Sequence, residues 1–433
     1  MQKRILKKRI LKKRILATLL SLFILALIAG LHHYSRQAAR AEAELNEFKL
    51  RSESSKPVTV DFSVTVPSDT PKDQIIYLSG SVPSLGNWDA AGLPLQRQDD
   101  GRWHGSAQVL SSIGYGFKVT RGTWGTVETD SAGAAIPDRT LQVPAAQTVE
   151  LTVADWVDHG KAVPGRITLT GDIRLLKNFH STLLNNDRTL ILFLPPGYDK
   201  HPDTRYPVLY MQDGQNLFDE STSFAGVEWR MDEAAQKLIG DDDVTPFIIV
   251  GIYNSPDRTA EFTPPPMATA NSPARGDLYA RFLVEGIKPY IDKTYRTQPD
   301  RAHTLIGGAS MGGLISLYTA QAHPDIFGQI VVLSPWLRLN DTKLLSFWLN
   351  DGHWLHNERI YSDMGTAPAN NGANYPGGAS AAIADSNDFA AALTSAGLQA
   401  EKDFTFHPIE GGQQDEASFQ AEIESVLKWV FAK

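Results

Sequence analysis

The run Gly308-Ala309-Ser310-Met311-Gly312-Gly313 sets one hydroxyl among small residues, directly after Thr304-Leu-Ile-Gly-Gly and directly before Leu314-Ile-Ser-Leu-Tyr-Thr-Ala. Small residues on both sides let a strand and a helix approach closely while Ser310 occupies a sharp turn with its hydroxyl projecting. That is the setting of a nucleophilic serine, which also needs a base to take its proton and donors for the oxyanion that forms. Cysteine is absent from the chain, so disulfides, thiolate metal sites and a cysteine nucleophile are excluded. No histidine pair or acid cluster stands out with metal-ligand spacing, and no cofactor or metal is expected.

The elements around Ser310 read as an α/β domain running from about Gly165 to Lys433. Apolar runs beginning at Thr189, Pro207, Phe247, Thr304 and Ile330 have the length and composition of buried strands. Helical periodicity covers Leu278 to Tyr295, and Phe419 to Phe431, where Phe419, Ile423, Val426, Leu427 and Val430 share one face. Alternation of buried strands with helices predicts a mostly parallel sheet covered on both sides.

Beyond the elbow stand Leu194-Pro-Pro-Gly-Tyr, Tyr210-Met-Gln-Asp-Gly-Gln-Asn-Leu-Phe, Ile252-Tyr-Asn254, Arg258 with Glu261, and Ser334-Pro335. Together these resemble the α/β-hydrolase esterase family that includes esterase D, the enterochelin and feruloyl esterases and the mycolyltransferases. The resemblance implies serine attack on a carboxylic ester, a histidine base, an acid that orients it and two backbone N–H donors. Carried onto this sequence, Ser310 would be the nucleophile. The donors would be the amide of Met311 and one from the Asp213-Gly214-Gln215 loop, taken as Gly214.

The same resemblance marks two departures. Where the family carries its acid, in a Gly-Thr-x-Asp or Gly-Thr-x-Glu segment, this chain has Gly365-Thr366-Ala367-Pro368, with Pro368 at the acid position. Where the family carries its histidine, in a glycine turn before the last helix, this chain has Gly411-Gly412-Gln413-Gln414, with Gln414 at the histidine position. A glutamine amide cannot accept a proton near neutral pH, so Gln414 could hold the serine hydroxyl without activating it. Seven other histidines lie in the domain: His180, His201, His303, His323, His353, His356 and His407. His407, in Phe404-Thr-Phe-His-Pro-Ile, is the first alternative base, although an ordinary partly exposed histidine is the plainer reading. Asp363 and Asp415 are nearby in sequence, but a lone carboxylate is a weak base for a serine hydroxyl.

Upstream, Val58 to Val157 consists of short alternating runs separated by Gly, Pro, Asp and Ser, which predicts an all-β, immunoglobulin-like sandwich. Leu85-Gly-Asn-Trp88-Asp, Trp103, Tyr115-Gly-Phe-Lys118 and Ile136-Pro-Asp138-Arg139 follow an order that resembles the starch-binding type of carbohydrate-binding module. In such modules an exposed indole stacks on a pyranose. By that resemblance Trp88 is the first platform and Lys118 supports the site. The second platform falls on Val127-Glu128, with Trp124 displaced by three residues. Trp88 can equally serve as core, and for Trp103 the core reading is preferred.

The chain opens with eight of its 41 basic residues within residues 1–14, leaving 33 against 49 acidic groups and hence −16 for the rest. An acidic body argues against nucleic acid as a partner. The apolar run 15–31, in which only Thr18 and Ser21 are polar, reads as a membrane anchor that leaves the remainder outside the cytoplasm, in the periplasm. A signal sequence cleaved on secretion is the alternative. Residues 32–57 read as a polar stalk. Two functions stay open: an extracytoplasmic serine ester hydrolase acting on acylated carbohydrate or small esters, and a non-catalytic envelope protein that binds glycan or ester.

Overall fold

A computed structural model describes residues 56–433 apart from 81, 87–88, 112–113, 132, 134–135, 137, 160–166, 268–273, 340–341, 344–353, 356–357 and 367–377. The anchor expected at 15–31 and the stalk up to residue 55 lie outside the described residues, and Pro57, expected to end the stalk, already belongs to the first strand. Among the described residues no helix is long and apolar enough to cross a membrane.

The first folded region holds β1 (Pro57–Thr65), β2 (Ile76–Gly80), β3 (Leu93–Arg97), β4 (Trp103–Leu110), β5 (Gly114–Thr120), β6 (Glu128–Thr129), β7 (Arg139–Gln142), β8 (Gln147–Thr152) and β9 (Asp155–Trp156). Seven of these pair in the order β7-β5-β2-β3-β4-β1-β8, while β6 and β9 form a ribbon. Val60, Phe62 and Val64 of β1 point into one core with Phe117 and Val119 of β5, although β1 and β5 are not neighbours in the sheet. The rings of Phe62 and Phe117 meet edge to face at 5.8 Å, so the strand array folds back on itself as a β-sandwich. Trp103 is 5% exposed within this core, as expected of it.

The second region is an α/β-hydrolase domain. Its strands are β10 (Asp172–Ser181), β11 (Asn186–Leu194), β12 (Val208–Gln212), β13 (Ile248–Ile252), β14 (Thr304–Ala309), β15 (Gln329–Leu333), the hairpin β16 (Arg338–Leu339) and β17 (Thr342–Lys343), then β18 (Arg359–Gly365) and β19 (Phe404–Ile409). The main sheet runs β10-β11-β13-β12-β14-β15-β18-β19, parallel from β13 onward. Side chains alternate along β11: Leu190, Leu192 and Leu194 enter one core, Ile191 and Phe193 the other. Both faces are therefore dry, which is why the strands read as nearly unbroken apolar runs. The helix expected over Leu278–Tyr295 is present as Gly276–Arg281, a π-type segment Phe282–Ile287 and Lys288–Thr294. The widened turn lies just before Pro289, whose ring nitrogen cannot donate into an α ladder.

Candidate active site

In a parallel sheet the loops after the strand C-termini gather at one edge. Ser310 follows β14, Asp213 follows β12, Asn254 follows β13, Ser334 follows β15, Thr366 follows β18 and Gln414 follows β19. The topology thus brings these six segments to one end, whereas Leu194-Pro-Pro-Gly-Tyr, after the antiparallel β11, lies at the other.

Ser310 sits at φ 54°, ψ −119°, a backbone region that costs a non-glycine residue about 1–3 kcal/mol. Hydrogen bonds pin the turn on each side: the Ser310 N–H donates to Leu333 O at 3.0 Å, and its carbonyl accepts from Leu314 and Trp336, each at 3.1 Å. The helix Met311–Ala322 starts at once, with the Met311 amide in its unsatisfied first turn. Close approach explains the glycines. A Cβ on Gly308 would lie 2.7 Å from the Gly312 carbonyl carbon, and one on Gly312 would lie 3.2 Å from Asp213 Oδ2. Asp213 therefore flanks the elbow.

The opposite wall is built from the motif residues. Asp213, at φ 57°, turns the chain into Gly214–Asn216. A Cβ on Gly214 would stand 2.4 Å from the Gly251 backbone, so only glycine lets this loop lie on β13. The Asp213 carboxylate accepts both Nε and Nη2 of Arg258 at 2.7 Å, and Nδ2 of Asn254 at 2.7 Å. A second ion pair supports the first: Glu261, fully buried, accepts from Arg188, from Asn186 at 2.9 Å and from Ser255 at 2.9 Å. Arg258 and Glu261, three residues apart in sequence, thus take separate partners.

The third wall carries the departures. The Gln414 side-chain amide donates to the Ser334 carbonyl at 2.7 Å, one residue beyond the strand end that receives the Ser310 N–H. The two substituted segments abut, since Gly411 N–H donates to Thr366 Oγ1 at 3.0 Å and a Cβ on Gly365 would meet Gly412. Pro368 lies outside the described residues. Asp415 caps the helix Glu416–Val430 through Ser418 N at 2.9 Å, a structural task. Asp363, fully buried, accepts the Ser334 N–H at 2.7 Å, and burial followed by the nearby Glu422 carboxylate raises its pKa far above the usual range. Glu416 is pushed up to about 7, first by desolvation and then by the charges of Asp213 and Asp415.

The described histidines lie away from the serine. His323 ends the twelve-residue elbow helix, about 18 Å along its axis. His303 precedes β14, at the far end of six strand residues, about 20 Å away. His201 lies between β11 and β12, at that same far end. His180 pairs with Asp187 on β10 and β11, and β10 is four strands from β14, about 19 Å. His407, three strands away, contacts Thr405 Oγ1 at 2.9 Å and packs on Tyr361, so it takes the plainer reading. His353 and His356 lie outside the described residues.

Residues 181–430 match the family model described as "Putative esterase". The chain belongs to this esterase family. Residues 57–153 match the starch-binding-domain model. A curated relative, the ferri-bacillibactin esterase BesA of Bacillus subtilis (strain 168), is 29% identical over 178 residues, 37% of this chain and 58% of its own. The endo-1,4-beta-xylanase/feruloyl esterase of Xylanibacter ruminicola is 25% identical over 260 residues, 58% of this chain and 33% of its own. An alpha-amylase of Niallia circulans is 45% identical over 103 residues, 23% of this chain and 8% of its own. The chain thus spans 8%, 33% and 58% of these three relatives.

In the starch-binding domain, Trp88 lies outside the described residues. Trp124 opens the short turn Trp124–Thr126. Val127 is 5% exposed, so it cannot offer a stacking face. Buried Glu128 accepts from Arg139 at 2.7 Å and from Val119 N at 2.8 Å. Lys118, also buried, pairs with Asp138 at 3.4 Å and donates to Ile136 O. These polar groups hold one another.

Proposed function

We propose that this esterase-family chain keeps a serine elbow and oxyanion donors but lacks a competent triad, so that it binds an ester and turns it over slowly. Ser310 is the nucleophile, and the amides of Met311 and Gly214 are the donors. The observation that carries this reading is Gln414, which stands in the base-bearing loop and spends its amide on the Ser334 carbonyl. Without a base the oxyanion donors have no alkoxide attack to stabilise, and deletion of a triad base costs up to about a millionfold in turnover. The starch-binding match, together with relatives named for feruloyl and ferri-bacillibactin esters, supports an acylated carbohydrate or small ester as ligand.

The test is hydrolysis of a p-nitrophenyl ester, with Ser310→Ala as control. Low wild-type turnover is expected, and Gln414→His with Pro368→Glu should raise it by more than the two single changes together, because triad members act as a unit. Strong wild-type turnover that disappears in Ser310→Ala would overturn the missing base. If no variant hydrolyses any ester while the chain still binds maltooligosaccharide, a purely binding protein replaces the slow enzyme. Trp88→Ala should then weaken that binding.

The proposed place of action is outside the cytoplasm, with 15–31 as anchor, because the basic flank precedes the only long apolar run of the sequence. Protease added to intact spheroplasts should digest the esterase domain. Protection would contradict this placement.

A further inference from the structure

Behind the oxyanion loop lies a second polar centre with no part in the ester chemistry. Glu228, Asp232 and Glu233, at the start of the helix Met231–Gly240, each bring one carboxylate oxygen to within 4.8 Å of the others. Glu228 and Asp232 are 1% and 0% exposed. Each of the three leaves an oxygen buried without any hydrogen-bond partner: Oε2 of Glu228, Oδ1 of Asp232 and Oε2 of Glu233. The other oxygens of Asp232 and Glu233 are satisfied. Asp232 Oδ2 accepts Thr170 N at 2.7 Å and Thr170 Oγ1 at 2.9 Å, and Glu233 Oε1 accepts Arg230 Nε at 3.1 Å.

Buried carboxylates with orphaned oxygens are costly unless they share protons or meet a cation. We propose that Glu228, Asp232 and Glu233 form a site for a hard divalent cation, calcium, which fixes the oxyanion loop. Only oxygen ligands are offered, which favours calcium or magnesium over zinc or copper. Three carboxylates from one short segment suit calcium, which accepts carboxylate oxygens in flexible geometry, better than magnesium, which demands a near-ideal octahedron and keeps several waters.

The surroundings connect this site to the loop. Trp229 N donates to Asn216 O at 2.8 Å and Met231 N to Leu217 O at 3.0 Å, so the acidic segment is laced to the turn that begins at Gly214. Gln420 of the last helix donates to the Glu228 carbonyl at 3.0 Å. Thr168, whose hydroxyl accepts Glu220 N at 3.0 Å, and Thr170 tie in the segment leading to β10. A cation here would order residues 228–233, to which the turn after Gly214, the last helix and the segment leading to β10 are hydrogen-bonded.

The test uses the full chain stripped with EDTA. Calcium at about a hundredfold over its dissociation constant should raise the melting midpoint by roughly 5 °C or more, whereas magnesium at equal ionic strength should raise it less. Terbium provides a direct readout, because Trp229 beside the site would sensitise its emission, and calcium should quench that emission by competition. Glu228→Gln with Asp232→Asn should abolish both responses, and each single variant keeps the test informative if the double variant folds poorly. Absence of a calcium shift and of calcium-competed terbium emission would overturn the proposal. So would equal responses in wild type and variants, or a larger shift with magnesium.

Discussion

The two walls around Ser310 differ in kind. On the oxyanion side, Asp213 holds Arg258 and Asn254, Gly214 lies on Gly251, and a fully buried Arg188–Glu261 pair stands behind them. On the base side the frame also persists, with Gly411 bonded to Thr366 and Gly365 against Gly412. Yet its functional side chain is Gln414, and that amide serves the Ser334 carbonyl. The comparison teaches that backbone-defined parts of a hydrolase site are retained through packing. In the proposed reading a base, by contrast, depends on one side chain and is lost without disturbing its loop.

If packing maintains the oxyanion side, substitutions there should cost much more stability than those on the base side. Arg188→Ala leaves Glu261 charged and buried, and urea unfolding should show a loss of about 3–5 kcal/mol. Gly214→Ala forces a methyl into the Gly251 backbone and should cost about 1–3 kcal/mol or more, with the Ser310 region disturbed in hydrogen exchange. Gln414→Ala, in contrast, gives up one hydrogen bond to Ser334 and should cost about 1 kcal/mol. Should Gln414→Ala cost as much as Arg188→Ala, the contrast between the walls fails.

The smallest expected effect concerns pH. Glu416 titrates near 7 in the folded chain against an ordinary 4.5, so the folded state holds its proton more tightly than the unfolded state. Its contribution is fully favourable below about 4.5 and is lost as pH rises to about 7. Glu416→Gln should flatten that segment of the stability profile, measured by urea midpoints at each pH, and a steeper fall in the variant would contradict the assignment.

Local pattern carried the elbow, the five anticipated strands, the final helix and the burial of Trp103, because each follows from periodicity or from small residues at a turn. Partnerships at long range were not legible. Asp213 meets Arg258 across 45 residues, Glu261 meets Arg188 across 73, and Asp363 reaches Ser334 across 29. No local spacing encodes such pairs; the strand order does. The acid cluster before and within the helix Met231–Gly240 was not legible either. Glu228, Asp232 and Glu233 look like acids favouring a helix start, and only burial reveals their unpartnered oxygens.

The contrast between the walls is tested most directly by fluorophosphonate labelling of Ser310, followed by intact mass, in wild type and in Gln414→His. A serine in a strained elbow without a base should label slowly, and imidazole at position 414 should accelerate capture by about a hundredfold or more. Rapid wild-type labelling that is lost in Ser310→Ala and unchanged in Gln414→His would contradict the account, because it would mean that Ser310 is already activated by a group other than residue 414.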